Sequence, residues 1–232
     1  MKAFMNYALC DAFERATGIK ALPLKPYSRL DTPVCAHADM LLCVIDNRLF
    51  CYSDYYFENK AIFDEAEKIG YKIIKCAPPV SRKYPHDIGL NVVVMGKKIF
   101  GNVKYMCKEI ADYCKESGYE LINVRQGYAA CSTLVLNEKN VVTGDISIKN
   151  SMEKEGISVL LTDDKNIVLT GYDHGFIGGS TGVLDGKILV LGEAEKLDDF
   201  AKINALADTL EMEIFSILSG DVVDFGGIKV IK

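Results

Sequence analysis

Two rhythms of apolar and polar positions alternate along the chain. The slower one has the period of a helix. Ile62, Phe63, Ala66 and Ile69 make one stripe, and Val103, Cys107, Ile110 and Cys114 make another. The faster one marks short, β-branched runs such as "KIIKC" and "ELINV", nearly continuous in apolar character, which predicts inner strands buried on both faces. Five segments join a helix, a breaker and such a strand: "NYALCDAFERATGIKALPLK", "NKAIFDEAEKIGYKIIKC", "VKYMCKEIADYCKESGYELINV", "SIKNSMEKEGISVLLTD" and "DDFAKINALADTLEMEIFSIL". Four of them break at Gly followed by Ile or Tyr, where glycine supplies the left-handed conformation that ends a helix. The fifth has "LEMEI" instead.

Most of these segments follow a two-stranded ribbon with a polar turn: "ADMLLCVIDNRLFCY", "GLNVVVMGKKIFGN", "CSTLVLNEKNVVTGD" and "GSTGVLDGKILVLGE". Asp46-Asn47, Gly96-Lys97 and Asp185-Gly186 suit hairpin centres. Four ribbon-helix-strand units result. The first helix has no ribbon of its own, and the C-terminal "DVVDFGGIKVIK" is a strand segment with no helix. Pairing of the two ends completes a fifth unit, so residues 1–232 are expected to form one α/β domain closed by its termini. One piece is left over: "DDKNIVLTGYDHGF", residues 163–176, whose Asp173 and His174 belong either to a flap or to a solvated loop.

Composition narrows the function. With 49% hydrophobic residues the 232-residue chain can fill a sizeable core. A net charge of −5 without any Lys/Arg run excludes the positive footprint that nucleic acid or an acidic membrane surface requires. No apolar stretch approaches a membrane span, and "MKAFMNYALCDAFERATG" acquires charge too early for a signal peptide, so the cytoplasm is the expected location. Eight cysteines sit within periodic apolar segments, as reduced core residues do. No C-x-x-C pair occurs, and the C-x-H of Cys35 and His37 lacks a second ligand pair. Neither a metal nor a cofactor is expected. The glycines of "GFIGGSTG" match neither a dinucleotide fingerprint nor a phosphate loop.

The stretch "VCAHADMLLCVI" sets His37 two residues before Asp39 at the mouth of an apolar run. Together with the five-unit pattern, this His-x-Asp resembles the pentein superfamily of guanidine-modifying enzymes: deiminases, dihydrolases and amidinotransferases. The segments "QGYAACS" and "GFIGGSTG" are similar to those of a bacterial subfamily of that fold. The resemblance implies a pentein-like, five-fold pseudosymmetric α/β propeller of ββαβ-type repeats. His37 would then be the general acid/base and Asp39 a carboxylate for the guanidinium. Aligning the ribbons by their turns puts Cys131 at the same cavity as Asp39. The C-terminal "DFGGIKV" resembles the Gly-Gly-x-x-Cys stretch that carries the family's nucleophile, but its last position here is Val230.

If Cys131 replaces that thiol, the catalytic set is Cys131, His37 and Asp39. Asp87, Asn91, Ser132, Asp145, Gly178, Gly179 and Ser180 are then candidates for binding a guanidino or amidino small molecule. Each has an ordinary structural reading as well: a rim histidine, a turn aspartate, a core cysteine, glycines at a crowded axis. Two functions stay open at this point. One is a Cys-dependent hydrolase or amidinotransferase. The other is a non-catalytic pentein that binds a small ligand or a protein partner, which Val230 favours. A homo-oligomer is compatible with either.

Overall fold

The computed structural model describes residues 1–232 and shows five three-stranded sheets, each mixed in the same way. The first sheet uses both ends of the chain. β1 (Lys2–Asn6) leads through α1 (Cys10–Thr17) to its parallel partner β2 (Lys20–Leu24). Next, α2 (Ala38–Leu41) opens a unit of β3 (Leu42–Ile45), β4 (Arg48–Tyr52), α3 (Ser53–Glu58), α4 (Lys60–Glu67) and β5 (Lys72–Cys76). The third unit is β6 (Val93–Met95), β7 (Lys98–Gly101), α5 (Lys108–Glu116) and β8 (Glu120–Asn123). The fourth is β9 (Thr133–Val135), β10 (Asn140–Thr143), α6 (Ile146–Lys154) and β11 (Ser158–Leu161). The fifth is β12 (Thr181–Leu184), β13 (Lys187–Val190), α7 (Phe200–Thr209) and β14 (Glu213–Ser216). Finally β15 (Lys229–Ile231) returns antiparallel to β1, pairing Ala3 with Val230.

Local chemistry explains the repeats. Gly18, Gly70, Gly118 and Gly156 end their helices at positive φ, and Glu211 adopts the same left-handed conformation in the fifth unit at φ 54°. At the hairpins Asp46, Gly96 and the Asp185-Gly186 pair take positive φ, as a tight turn between right-twisted strands requires.

Two expectations from the pattern need correction. The strands after the helices are edge strands, not inner ones. β5, β8, β11 and β14 each pair only with the second ribbon strand. Lys72 and Lys75 of β5 and Glu120 of β8 are exposed, while Ile73 and Ile74 between the two lysines are half-buried. The second ribbon strand is the buried centre of every sheet, where Leu49, Phe50, Ile99, Phe100, Val141, Val142, Ile188 and Leu189 fill the core. The other correction concerns Val103, which lies in the turn ahead of α5, so that helix buries Ile110 and Cys114 alone.

Consecutive units share their cores. Phe4 and Leu22 of the first pack with Leu49, Phe50 and Phe63 of the second. Val93 and Phe100 pack with Val141 and Ile148, and Leu134 and Val142 with Ile188 and Val190. The last unit meets the first, with Leu184, Leu189 and Leu191 against Ala3, Met5 and Phe13.

The first ribbon strands share a register. Val44, Val94, Val135 and Val183 each lie opposite the second strand near its turn, and Val230 occupies the same place opposite Ala3. All five are half-buried. They line two adjoining hollows of about 170 and 240 Å³ together with Lys229. Val230 is therefore one of a set of equivalent valines.

Candidate functional site

The segments that lead into the first ribbon strands converge on a different cleft, of about 200 Å³. Val34, His37 and Met40 come from the approach to β3, Tyr128 and Cys131 from the approach to β9, and Asp224 from the approach to β15. Leu169, Tyr172, Asp173, His174 and Phe176 of the excursion form one wall. The excursion is tied to the segment carrying Asp224, because Val168 N–H donates to Val222 O and Asp224 N–H donates to Val168 O.

His37 precedes the single turn of α2, and the Asp39 N–H in that turn donates to Gly226 O at 3.0 Å. The close approach depends on glycine. A Cβ on Gly226, which sits at φ +83°, would lie 2.3 Å from His37 Cα. A Cβ on Gly179 would lie 2.1 Å from Asp224 Oδ1, and one on Gly178 would strike the carbonyls of Ala130, Cys131 and Thr133. Gly179 N–H donates to Cys131 O at 3.0 Å, and its own carbonyl accepts from Phe225 and Gly227. The two glycines thus bring the Cys131 and Asp224 segments together.

The cluster is buried and acidic. His37, Asp39, Cys131 and Asp224 are all at most 4% exposed. His37 Nδ1 lies 3.5 Å from Asp224 Oδ1. Burial pushes the imidazole pKa down, and Asp39 pulls it partly back. Asp224 accepts from Phe176 N–H at 3.0 Å and from Gly226 N–H at 2.9 Å, yet burial raises its carboxyl to about 6. Asp39 is raised too, chiefly by burial and further by Asp224, while His37 and Lys229 oppose the shift. Neither Asp39 carboxylate oxygen accepts a hydrogen bond. The Cys131 thiol is held well above its ordinary pKa by burial and then by the Asp39 and Asp224 charges. Asn91 Nδ2 donates to Cys131 Sγ at 2.9 Å and to Asp39 O at 3.0 Å. Its Oδ1 accepts from Ala130 N–H at 2.7 Å, which fixes the amide.

The remaining candidates divide. Asp87 is buried and accepts from the Tyr128 hydroxyl at 3.0 Å, one step behind the cleft wall. Ser132 is buried with its Oγ unpartnered, and its carbonyl accepts from Thr143 Oγ1 at 2.7 Å. Ser180 Oγ donates to Ile177 O at 3.1 Å and turns the chain locally. Asp145 is not brought to the cluster. It caps α6, accepting from Ser147 and Ile148 N–H, while its second oxygen accepts from Gln126.

Comparison with known proteins places the chain. A family model described as a family of unknown function, DUF6873, matches residues 5–229. The chain belongs to this family. No curated protein matches its sequence. Among solved structures, the DUF6873 chain is similar to DDAH from Pseudomonas aeruginosa complexed with citrulline. That match has 9% identity and a TM-score of 0.57, over 93% of this chain and 91% of the other. It is also similar to an amidinotransferase of the saxitoxin biosynthetic pathway from Microseira wollei, with 13% identity, TM-score 0.59, and coverage of 93% and 88%. A third is the agmatine deiminase of C. jejuni, with 13% identity, TM-score 0.53, and coverage of 89% and 71%. The DUF6873 chain has the pentein fold.

In this DUF6873 protein the flap expected of residues 163–176 forms one wall of the cleft, whereas Asp224 was not among the expected site residues. Asp224 stands two residues before the Gly-Gly pair of "DFGGIKV", and attention to the end of that motif obscured it. Tyr128 lies in the segment "QGYAACS", but nothing in it marks the tyrosine itself as a wall of the cleft. Outside the cleft lining, Asp164 is a further buried carboxyl, raised to about 7 by burial, with Oδ1 unpartnered. Val230 faces the valine-lined hollows and not the cleft, whereas Cys131, four residues ahead of the register-equivalent Val135, does reach it.

Proposed function

We propose that the protein is a guanidine-modifying-type pentein. Its five units close into a five-fold pseudosymmetric propeller, residues 1–232 form one domain, and the cleft takes a small guanidinium or amidinium cation on which Cys131 acts. The carrying observation is a pair of buried carboxylates, Asp39 and Asp224, beside a cleft that no lysine or arginine lines. A buried carboxylate without donors is costly, as Asp39 is, and Asp224 adds a second negative charge beside it, so a planar cation that reaches both is favoured. The cleft's 200 Å³ is below the roughly 300–1,000 Å³ of drug-sized sites, which suits a compact ligand.

The unliganded electrostatics hold Cys131 as a thiol. A bound cation neutralises the two charges that keep it so. Neutral His37 then takes the thiol proton as Cys131 Sγ bonds to the central carbon of the ligand. As the C–N bond breaks, the imidazolium returns that proton to the departing amine, leaving an S-amidino cysteine. Water, or an acceptor amine, attacks that carbon with His37 as base and releases the thiol. Water makes the protein a hydrolase, and an amine makes it an amidinotransferase.

A second reading rests on the raised thiol: a cation-binding pentein without turnover. Intact-mass spectrometry after incubation with small alkylguanidines and amidines separates the two. An adduct on Cys131, absent in Cys131→Ser, supports catalysis. Saturable binding with no adduct and no released amine supports the binder. Absence of binding by every guanidinium and amidinium overturns both.

A further inference from the structure

A second group of ligand-type side chains lies where β5 ends and α5 begins. Cys76 is the last residue of β5, Cys107 caps α5, and Glu109 stands in its first turn. Cys76 Sγ, Cys107 Sγ and a Glu109 carboxylate oxygen all lie within 4.8 Å of one another. Cys76 is buried and the other two are half-buried. Glu109 Oε2 is buried and has no hydrogen-bond partner. A carboxylate oxygen in that position has lost its hydration without gaining a hydrogen-bond donor, which a cation shared with the two sulfurs would remedy.

The donor set suits a particular class of ion. Zinc binds thiolate sulfur at about 2.3 Å and carboxylate oxygen at about 2.0–2.2 Å, so tetrahedral ligands are separated by roughly 3.5–3.8 Å. Three donors within 4.8 Å of each other need little adjustment to reach that spacing. Two soft sulfurs disfavour magnesium and calcium. The helix end helps as well, since Cys107 and Glu109 stand at the positive terminus of α5.

We propose that Cys76, Cys107 and Glu109 bind one thiophilic divalent cation of the Zn²⁺ class, with water as the fourth ligand. Binding forms two metal–sulfur bonds and releases the two thiol protons. The site braces the neighbouring cleft. Cys107 N–H donates to Gly89 O at 2.8 Å, and a Cβ on Gly89 would sit 2.7 Å from Cys107 Sγ. Gly89 lies between Asp87 and Asn91, so an ion here fastens the stretch that supports Tyr128 and Cys131.

The test uses the full chain, stripped of metal by a chelator and fully reduced. Zn²⁺ is titrated against a chromophoric competitor, and Co²⁺ is followed by its absorption. The expected result is one ion per chain, a thiolate-to-cobalt charge-transfer band, and two protons released per ion in weak buffer. Cys76→Ser and Cys107→Ser abolish these signals, and Cys35→Ser leaves them intact. Glu109→Gln, a substitution on a half-buried helix position that preserves the fold, weakens binding by at least the roughly 10–100-fold that loss of an outer-shell partner costs. It also changes the cobalt spectrum. Sub-stoichiometric binding, equal affinity in Cys107→Ser, or an unaltered cobalt spectrum in Glu109→Gln overturns the assignment.

Discussion

Replacing Asp39 with Asn stabilises the unliganded protein and abolishes its affinity for guanidinium cations. Asp39 is 1% exposed, and neither of its oxygens accepts a hydrogen bond. An unsatisfied buried polar group costs about 1–3 kcal/mol, and more when charged. The Asn amide is unsatisfied as well, so only the excess cost of the charge is relieved, about 1 kcal/mol, or a rise in Tm of roughly 2–4 °C for a domain of this size. The gain depends on pH. The folded-state carboxyl is raised above its unfolded value, so the native state holds more protons between the two. The wild type therefore loses stability as pH rises through that window, and the Asn variant does not. The difference between them therefore grows as pH rises from the unfolded carboxyl pKa through the folded one, and the neighbouring Asp224, no longer facing a second carboxylate, becomes easier to ionise in the variant. The chain has no tryptophan, so urea unfolding is followed by far-ultraviolet circular dichroism. A variant less stable than the wild type across that window, or a difference independent of pH, refutes the reasoning.

Other perturbations give equally definite outcomes. Asp224→Asn removes guanidinium binding. In the wild type, calorimetric affinity falls as pH drops through about 6, where Asp224 takes up its proton. Gly226→Ala forces a methyl group to within 2.3 Å of His37 Cα at positive φ, and costs about 2–4 kcal/mol in denaturant unfolding. Val230→Cys introduces a thiol beside the valine-lined hollows, so its alkylation rate is insensitive to guanidinium ligands, whereas Cys131 is protected by them. Asn91→Ala removes the donor to Cys131 Sγ, raises the thiol pKa further, and slows its alkylation across neutral pH.

The repeat was legible because each unit carries its own punctuation. Glycines after the helices, polar hairpin centres and the complementary ends specify the sheets and the pairing of β1 with β15 without long-range information. Burial across units was not legible in that way. A run such as "KIIKC" has the same apolar content at an edge as at a centre, and only the exposed Lys72 and Lys75 mark it as an edge. At the site, His37, Asp39 and Cys131 could be proposed from motif and ribbon alignment. Asp145 was misplaced because an aspartate that caps a helix looks like any other in a turn. Asp224 and the Cys76–Cys107–Glu109 group depend on contacts between residues far apart in the chain, which no local spacing encodes.

A crystal structure of the wild-type protein soaked with methylguanidine tests the central claim most directly. The account predicts a planar cation in the cleft, its nitrogens on the Asp39 and Asp224 carboxylates and its central carbon facing Cys131 Sγ. An empty cleft, or a ligand seated only against the valines of the other two hollows, contradicts it.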